Sequence, residues 1–242
     1  MLTLFRNLFS PPRHMILLLA ATWIGLNFAE KRAERHGISK EDVNNLTYYG
    51  LIAFVLGGRL SFVLQNLPVF IKSPLDIISI NPDIFDPLGG VAVAIIVAII
   101  YGQRRGLKFW NTVDALTPFF AVLSIGIGLS HLAAGTAFGM ETDVAWGIDL
   151  WNATRHPTQI YETAASLLIF GLVWFQRQNP RPGILFLTYA TFTAAAQLFI
   201  QAYRGDNTLI FNGLRQGQVI AWVVLAVTFI LFEVRLKEKH EG

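Results

Sequence analysis

Residues 112–137 read TVDALTPFFAVLSIGIGLSHLAAGTA, twenty-six positions with a single charge, Asp114. A run this long and apolar exceeds the ~20 residues that cross ~30 Å of hydrocarbon. It also lacks the polar stripe of a helix lying on a soluble core. Outward from it, six more apolar segments cover 14–29, 44–66, 86–101, 157–176, 184–203 and 217–234. The whole chain of 242 residues is 53% hydrophobic and 14% charged, where a soluble domain carries about 25% charged residues. A soluble core of this size has too little interior to hide so much apolar side chain. The expected fold is therefore all-α: one integral membrane domain, 1–242, built as a bundle of seven transmembrane helices. Met15 to Ala29 runs into Glu30-Lys31-Arg32 without a small-residue cleavage pattern, so it reads as a span rather than a cleaved signal.

The connections alternate in charge. Segments 30–43, 103–109, 177–183 and the tail from Arg235 hold twelve of the nineteen Lys and Arg residues. The N-terminal arm and the connections 67–85, 138–156 and 204–216 hold six, and Arg59 lies within a span. Cytoplasmic loops carry the positive excess, which places the N-terminus outside and the C-terminus in the cytoplasm. Trp146 and Trp151 in an outer loop, with Trp110 at an inner edge, fit interfacial anchoring. No basic run exceeds two residues, so nucleic acid is not an expected partner. Cysteine is absent. That excludes disulfides, thiolate metal sites, a cysteine nucleophile and palmitoylation.

Polar side chains inside spans are expensive and mark function or helix–helix contacts. On this topology Arg59, His131, Glu162, Gln197, Gln201 and Gln218 all fall in the outer half of the membrane, on five helices. Asp114 lies at the inner end of its span. The shared depth points to one cavity facing the outer leaflet. Arg59 stays charged and needs an anion, either Glu162 or a lipid phosphate. His131 fits a proton carrier or a hydrogen-bonded core residue. Gly57, Gly58, Gly126, Gly128, Ala133, Ala134, Gly135 and Gly139 beside these groups read first as close helix packing. His156-Pro157 marks a helix start, where proline lacks nothing it needs. The phosphate-binding, zinc-protease and serine-hydrolase signatures are all missing.

The order of motifs resembles the bacterial prolipoprotein diacylglyceryl transferases from about residue 30 to 230. The similar stretches are Glu41-Asp42-Val43-x-Asn45-Leu46, Gly57-Gly58-Arg59-Leu60, Asp114-x3-Pro118 and Gly135-x3-Gly139. After these come His156-Pro157-Thr158-Gln159-Ile160-Tyr161-Glu162, Arg204-x-Asp206 and Gly217-Gln218. The resemblance implies seven spans in the bacterial cytoplasmic membrane. It implies transfer of diacylglyceryl from phosphatidylglycerol to the lipobox cysteine thiol of a preprolipoprotein, releasing glycerol phosphate, with no cofactor and no metal. In that reading Arg59 and Arg204 bind the lipid phosphate and His131 and Glu162 handle the proton. Gln159, Tyr161, Gln197, Gln201 and Gln218 line the cavity.

This chain departs from the family's pattern at several places. The family's central motif, G-R-x-x-N-x-x-N-G-E, puts its arginine on Gly128, its asparagines on His131 and Ala134 and its glutamate on Thr136. A histidine before two glycines has no counterpart ahead of Gly89-Gly90. An arginine and a glutamate of the sixth span fall on Gln197 and Gln201, and a tyrosine falls on Thr193. Losing one charge-stabilising donor costs ~10²–10³ in rate. Three readings follow: a divergent transferase with His131 as replacement base; a lipid-binding relative without the reaction, serving other membrane subunits; or a small transporter, disfavoured because polar groups stay in one half of the membrane.

Overall fold

A computed structural model describes residues 13–78, 85–177, 181–210 and 213–237. The chain forms two compact units, one of residues 33–112 and one that joins the N-terminal segment to residues 113–242. The charged N-terminal arm before Arg13 and the end of the basic tail lie outside the described residues.

In the first unit, helix α2 (Lys40–Gln65) follows the N-terminal helix α1 (Arg13–Ala33) through a 3₁₀ turn, Glu34–His36. Ser39 starts α2: its hydroxyl accepts from the Asp42 amide at 3.0 Å and donates to the Asp42 carboxylate at 2.6 Å. That pairing satisfies an N–H that the first helical turn would leave open. The short helix α3 (Leu67–Lys72) follows, and then α4 (Pro87–Arg104). Asp86 caps α4 by accepting from the amides of Leu88 and Gly89, with Pro87 at the first helical position. Gly58 of α2 faces Phe85 and the Asp86 carbonyl, and Gly90 of α4 faces the Phe54 carbonyl. No Cβ fits at either place, so α2 and α4 approach backbone to backbone.

The second unit holds α1, α5 (Phe109–Ala134), α6 (Thr158–Phe175), α7 (Ile184–Tyr203) and α8 (Gln216–Lys237). Arg32 lies over the Trp174 ring at 4.2 Å and donates to the Val173 and Trp174 carbonyls, which fastens α1 to the open C-terminal carbonyls of α6. Asp114 is buried and accepts from the amides of Gly183 at 2.6 Å and Phe186 at 2.8 Å. It caps the start of α7 from another helix.

Six helices, α2 and α4 to α8, are long and apolar enough to cross a membrane among the described residues. Seven segments were expected. Helix α1 has the length, 21 residues, but carries Arg13 at one end and Lys31 and Arg32 at the other. The remaining boundaries shift by a few residues; the 86–101 segment runs to Arg104 and the 112–137 segment is helical over 109–134. The connections are not purely irregular, which modifies the all-α expectation. Strands β1 (Ile148–Leu150) and β2 (Ala153–Arg155) pair antiparallel across Trp151-Asn152, both at positive φ as a tight two-residue hairpin requires. Bridges Glu141↔Arg155 and Gly139↔Arg204 extend the ribbon. Strands β3 (Leu209–Ile210) and β4 (Leu214–Arg215) form a second hairpin before α8.

Candidate active site

His131 occupies the last turn of α5 and Glu162 lies near the start of α6. Their side chains meet at 2.8 Å between Nδ1 and Oε2. The other Glu162 oxygen accepts from the Gln197 amide at 3.0 Å, and the Gln197 oxygen accepts from the Gln201 amide at 3.1 Å. Gln197 and Gln201 are one turn apart on α7, so both reach the same side. Four residues from three helices thus form one continuous chain with Glu162 as its only anion. The chain stops at Gln201 Oε1, which is buried and accepts no hydrogen bond among the described residues. Gly217 of α8 makes room for that amide; a Cβ there would stand 2.5 Å from it. Gln218 sits beside it and donates to the Leu198 carbonyl at 3.3 Å.

The run His156 to Glu162 builds the neighbouring surface. Trp146 donates to the Tyr161 hydroxyl at 2.7 Å, and His156 Nδ1 lies 3.4 Å from the same oxygen. The His156 ring packs on Tyr203 at 5.0 Å. Gln159 lies deeper. It is fully buried and donates to the Thr136 carbonyl at 2.9 Å, while the Thr158 hydroxyl donates to the Ala137 carbonyl at 2.6 Å. These two bonds lock the α5–α6 connection, so Gln159 braces the site rather than facing open space.

The arginines have local partners. Arg204 makes a two-point pair with Asp206, at 2.8 and 3.0 Å. Arg59 belongs to the other unit and donates to the carbonyls of Asp76 at 2.8 Å and Ile77 at 3.2 Å. Within the second unit the two Glu162 oxygens are engaged by His131 and Gln197. Two arginines went unnoticed in the sequence. Arg215 donates to the carbonyls of Gln201, Ala202 and Arg204, closing the C-terminal end of α7 where the helix dipole favours a cation. Arg155 binds the Leu150 and Gly139 carbonyls and pairs with Glu141. Both end short strands in the connections between helices, where a basic residue carries no signal of such a role.

Gly128 is more than a missing side chain. A Cβ there would lie 2.5 Å from the Thr163 hydroxyl and 3.0 Å from the Thr163 amide nitrogen. Helix α6 packs closely onto α5 there. Along α7 and α8 the packing opens again into a cleft of about 410 Å³, with Gln197 and Gln201 at one end.

A model of the prolipoprotein diacylglyceryl transferase family matches residues 13–234. The chain is 27% identical over 234 residues to the phosphatidylglycerol–prolipoprotein diacylglyceryl transferase of Methylococcus capsulatus, across 91% of this chain and 86% of that protein. It is 27% identical over 247 residues to the same-named protein of Nitrosomonas europaea, across 92% and 88%. With that of Aromatoleum aromaticum it shares 28% over 226 residues, across 88% and 85%. A match over nearly the whole chain, on a bundle of membrane-length helices, places this multi-pass bacterial membrane protein in the prolipoprotein diacylglyceryl transferase family.

Proposed function

We propose that the protein transfers diacylglyceryl from phosphatidylglycerol to the lipobox cysteine thiol of a prolipoprotein, in the bacterial cytoplasmic membrane, with α1 as a seventh span and the N-terminus outside. The observation that carries this reading is the His131–Glu162 pair at 2.8 Å, with the second Glu162 oxygen held by Gln197. A carboxylate on Nδ1 fixes the imidazole with its proton on that nitrogen and leaves Nε2 as the base. Nε2 takes the thiol proton. The sulfur attacks the glyceryl carbon that bears the phosphate, forming the C–S bond. The carbon–oxygen bond breaks with its electron pair on the phosphate oxygen. Glycerol phosphate leaves and recovers the proton from His131. Arg204 meets the phosphate by exchanging Asp206 for it, since both offer the paired oxygens a guanidinium prefers. Tyr161 and Gln218 stand beside the chain and orient the glyceryl end.

The test uses the full chain purified in detergent, phosphatidylglycerol labelled in its diacylglyceryl part, and a lipobox peptide. The expected result is label on the cysteine, with rates reduced ~10²–10³-fold in His131→Asn and in Glu162→Gln. A folded wild-type protein that transfers no label, and that fails to complement a strain depleted of its own transferase, would overturn the proposal.

A further inference from the structure

The cleft between α7 and α8 has walls of small and apolar side chains. Ala190, Thr193, Ala194 and Gln197 form one side; Gly217, Ile220, Ala221 and Val224 form the other. Tyr189 closes one end and Gln201 the other. Twelve residues of helix separate them, about 18 Å at ~1.5 Å per residue. One leaflet of hydrocarbon is about 15 Å deep, half of a ~30 Å core. The volume of about 410 Å³ falls within the ~300–1,000 Å³ range of small-molecule sites.

Three observations select the occupant. The two helices are of membrane-spanning length and apolarity, so acyl chains are the surrounding solvent. The walls offer water few partners, and apolar cavities of this kind do not hold it. The polar end of the cleft is the Gln201–Gln197–Glu162–His131 chain, so a tail lying in the cleft brings its own glyceryl carbons to that chain. We propose that the α7/α8 cleft seats one acyl chain of the donor phospholipid, and that Ala190, at the end remote from Gln201, sets the chain length accepted. The identity of the lipid as donor rests on the transferase reading above; the seating of a chain does not.

Lipid tails are as apolar as the cleft, so a seated chain gains packing rather than transfer from water. The signature is therefore exclusion. Filling the far end should bar long chains and spare short ones. The experiment measures competition among phosphatidylglycerols with 10-, 14- and 18-carbon chains for the purified full-length protein in detergent, by mass spectrometry of the intact complexes. Variants are Ala190→Phe, Ile220→Phe and, as a lipid-facing control on α6, Leu168→Phe (72% exposed). The expected result is about a tenfold loss of the 18-carbon lipid against the 10-carbon one in Ala190→Phe. Ile220→Phe should shift in the same direction and Leu168→Phe should match wild type. Equal profiles in all four proteins overturn the proposal. So does equal loss at every length. A dimer in wild type that Ala190→Phe dissociates, with an unchanged length profile, assigns the cleft to a second copy, as the small-x3-small spacing of Ala190/Ala194 and Gly217/Ala221 would then require. A length shift in a protein that transfers no label keeps the cleft and removes the reaction, so the two failures read differently.

Discussion

Two polar networks, one in each unit, are built on opposite plans. In the unit of residues 33–112, Asp42 is buried and both of its carboxylate oxygens accept hydrogen bonds. One carboxylate oxygen accepts from the Tyr101 hydroxyl and Arg105 Nε, each at 2.9 Å; the other accepts from Ser39. Asn45 donates to the Tyr101 oxygen at 3.1 Å. In the other unit the chain from His131 through Glu162, Gln197 and Gln201 ends on an acceptor with no partner. Buried polar atoms are nearly always satisfied, and an open one calls for an explanation. A closed network fixes architecture. An open-ended one, beside a cleft, retains capacity for a ligand or a reacting group.

Breaking each network should therefore register in a different measurement. The largest effect is expected from Glu162→Gln, with transfer reduced ~10²–10³-fold and little change in unfolding temperature, because the amide keeps the shape. An equal fall in stability would erase the contrast. Next is Gly128→Ala. The new methyl meets the Thr163 hydroxyl, which is tied to the Gln159 carbonyl, and behind it the Thr163 backbone, so overpacking should cost about 1–3 kcal/mol. Gly217→Ala tests the same added atom against the movable Gln201 amide; there the loss should appear in transfer more than in stability. Urea or thermal unfolding of both variants reads the difference.

Asp42→Asn comes third. It weakens the bonds to Arg105 and Tyr101 but leaves the reaction untouched, and Arg105 is 47% exposed, so screening limits the loss to roughly 1 kcal/mol. A drop in transfer beyond that in folded protein would tie the closed network to function and break the comparison. The smallest effect belongs to Asp86. The hydrogen bond from Ser61 foremost, with the Gly89 and Leu88 amides and Gln65, holds its carboxyl below the usual 3.8. A depressed carboxylate stabilises the fold fully above its unfolded value, and the contribution fades as pH falls through the lower folded value. Thermal midpoints of wild type and Asp86→Asn should differ near neutral pH and converge well below pH 4. Persistence of the gap there would show that Asp86 acts through shape alone.

Much of this was legible in the chain itself. The 184–203 segment matches α7 end to end because Gly183 and Arg204 bound it and no charged residue interrupts it. His131, Glu162, Gln197 and Gln201 were singled out one by one, since each is a costly group at an apolar position. Their linkage was not. Arg59 has two candidate anions in the sequence reading, Glu162 or a lipid phosphate, and periodicity along one helix does not say which neighbour a side chain meets. The hairpin of β1 and β2 was invisible because three-residue strands are too short to show a period. Arg215 and Arg155 were overlooked because their partners are backbone carbonyls, which every sequence contains.

The sequence by itself determined the solvent and the family. With charge confined to 14% of residues and gathered between apolar runs, no other environment covers the exterior. Motif order from about residue 30 to 230 pointed to the ancestry, and the family model matches residues 13–234. Only the tertiary structure decided what individual positions do. Gly128 is a contact with α6, Gln197 and Gln201 are the extension of a carboxylate, and Asp114 is a cap for another helix. The physical reason is that these roles depend on distances of about 3 Å between residues 31 to 69 positions apart. Hydrophobic pattern sets which face a residue occupies; helix packing alone sets what it touches.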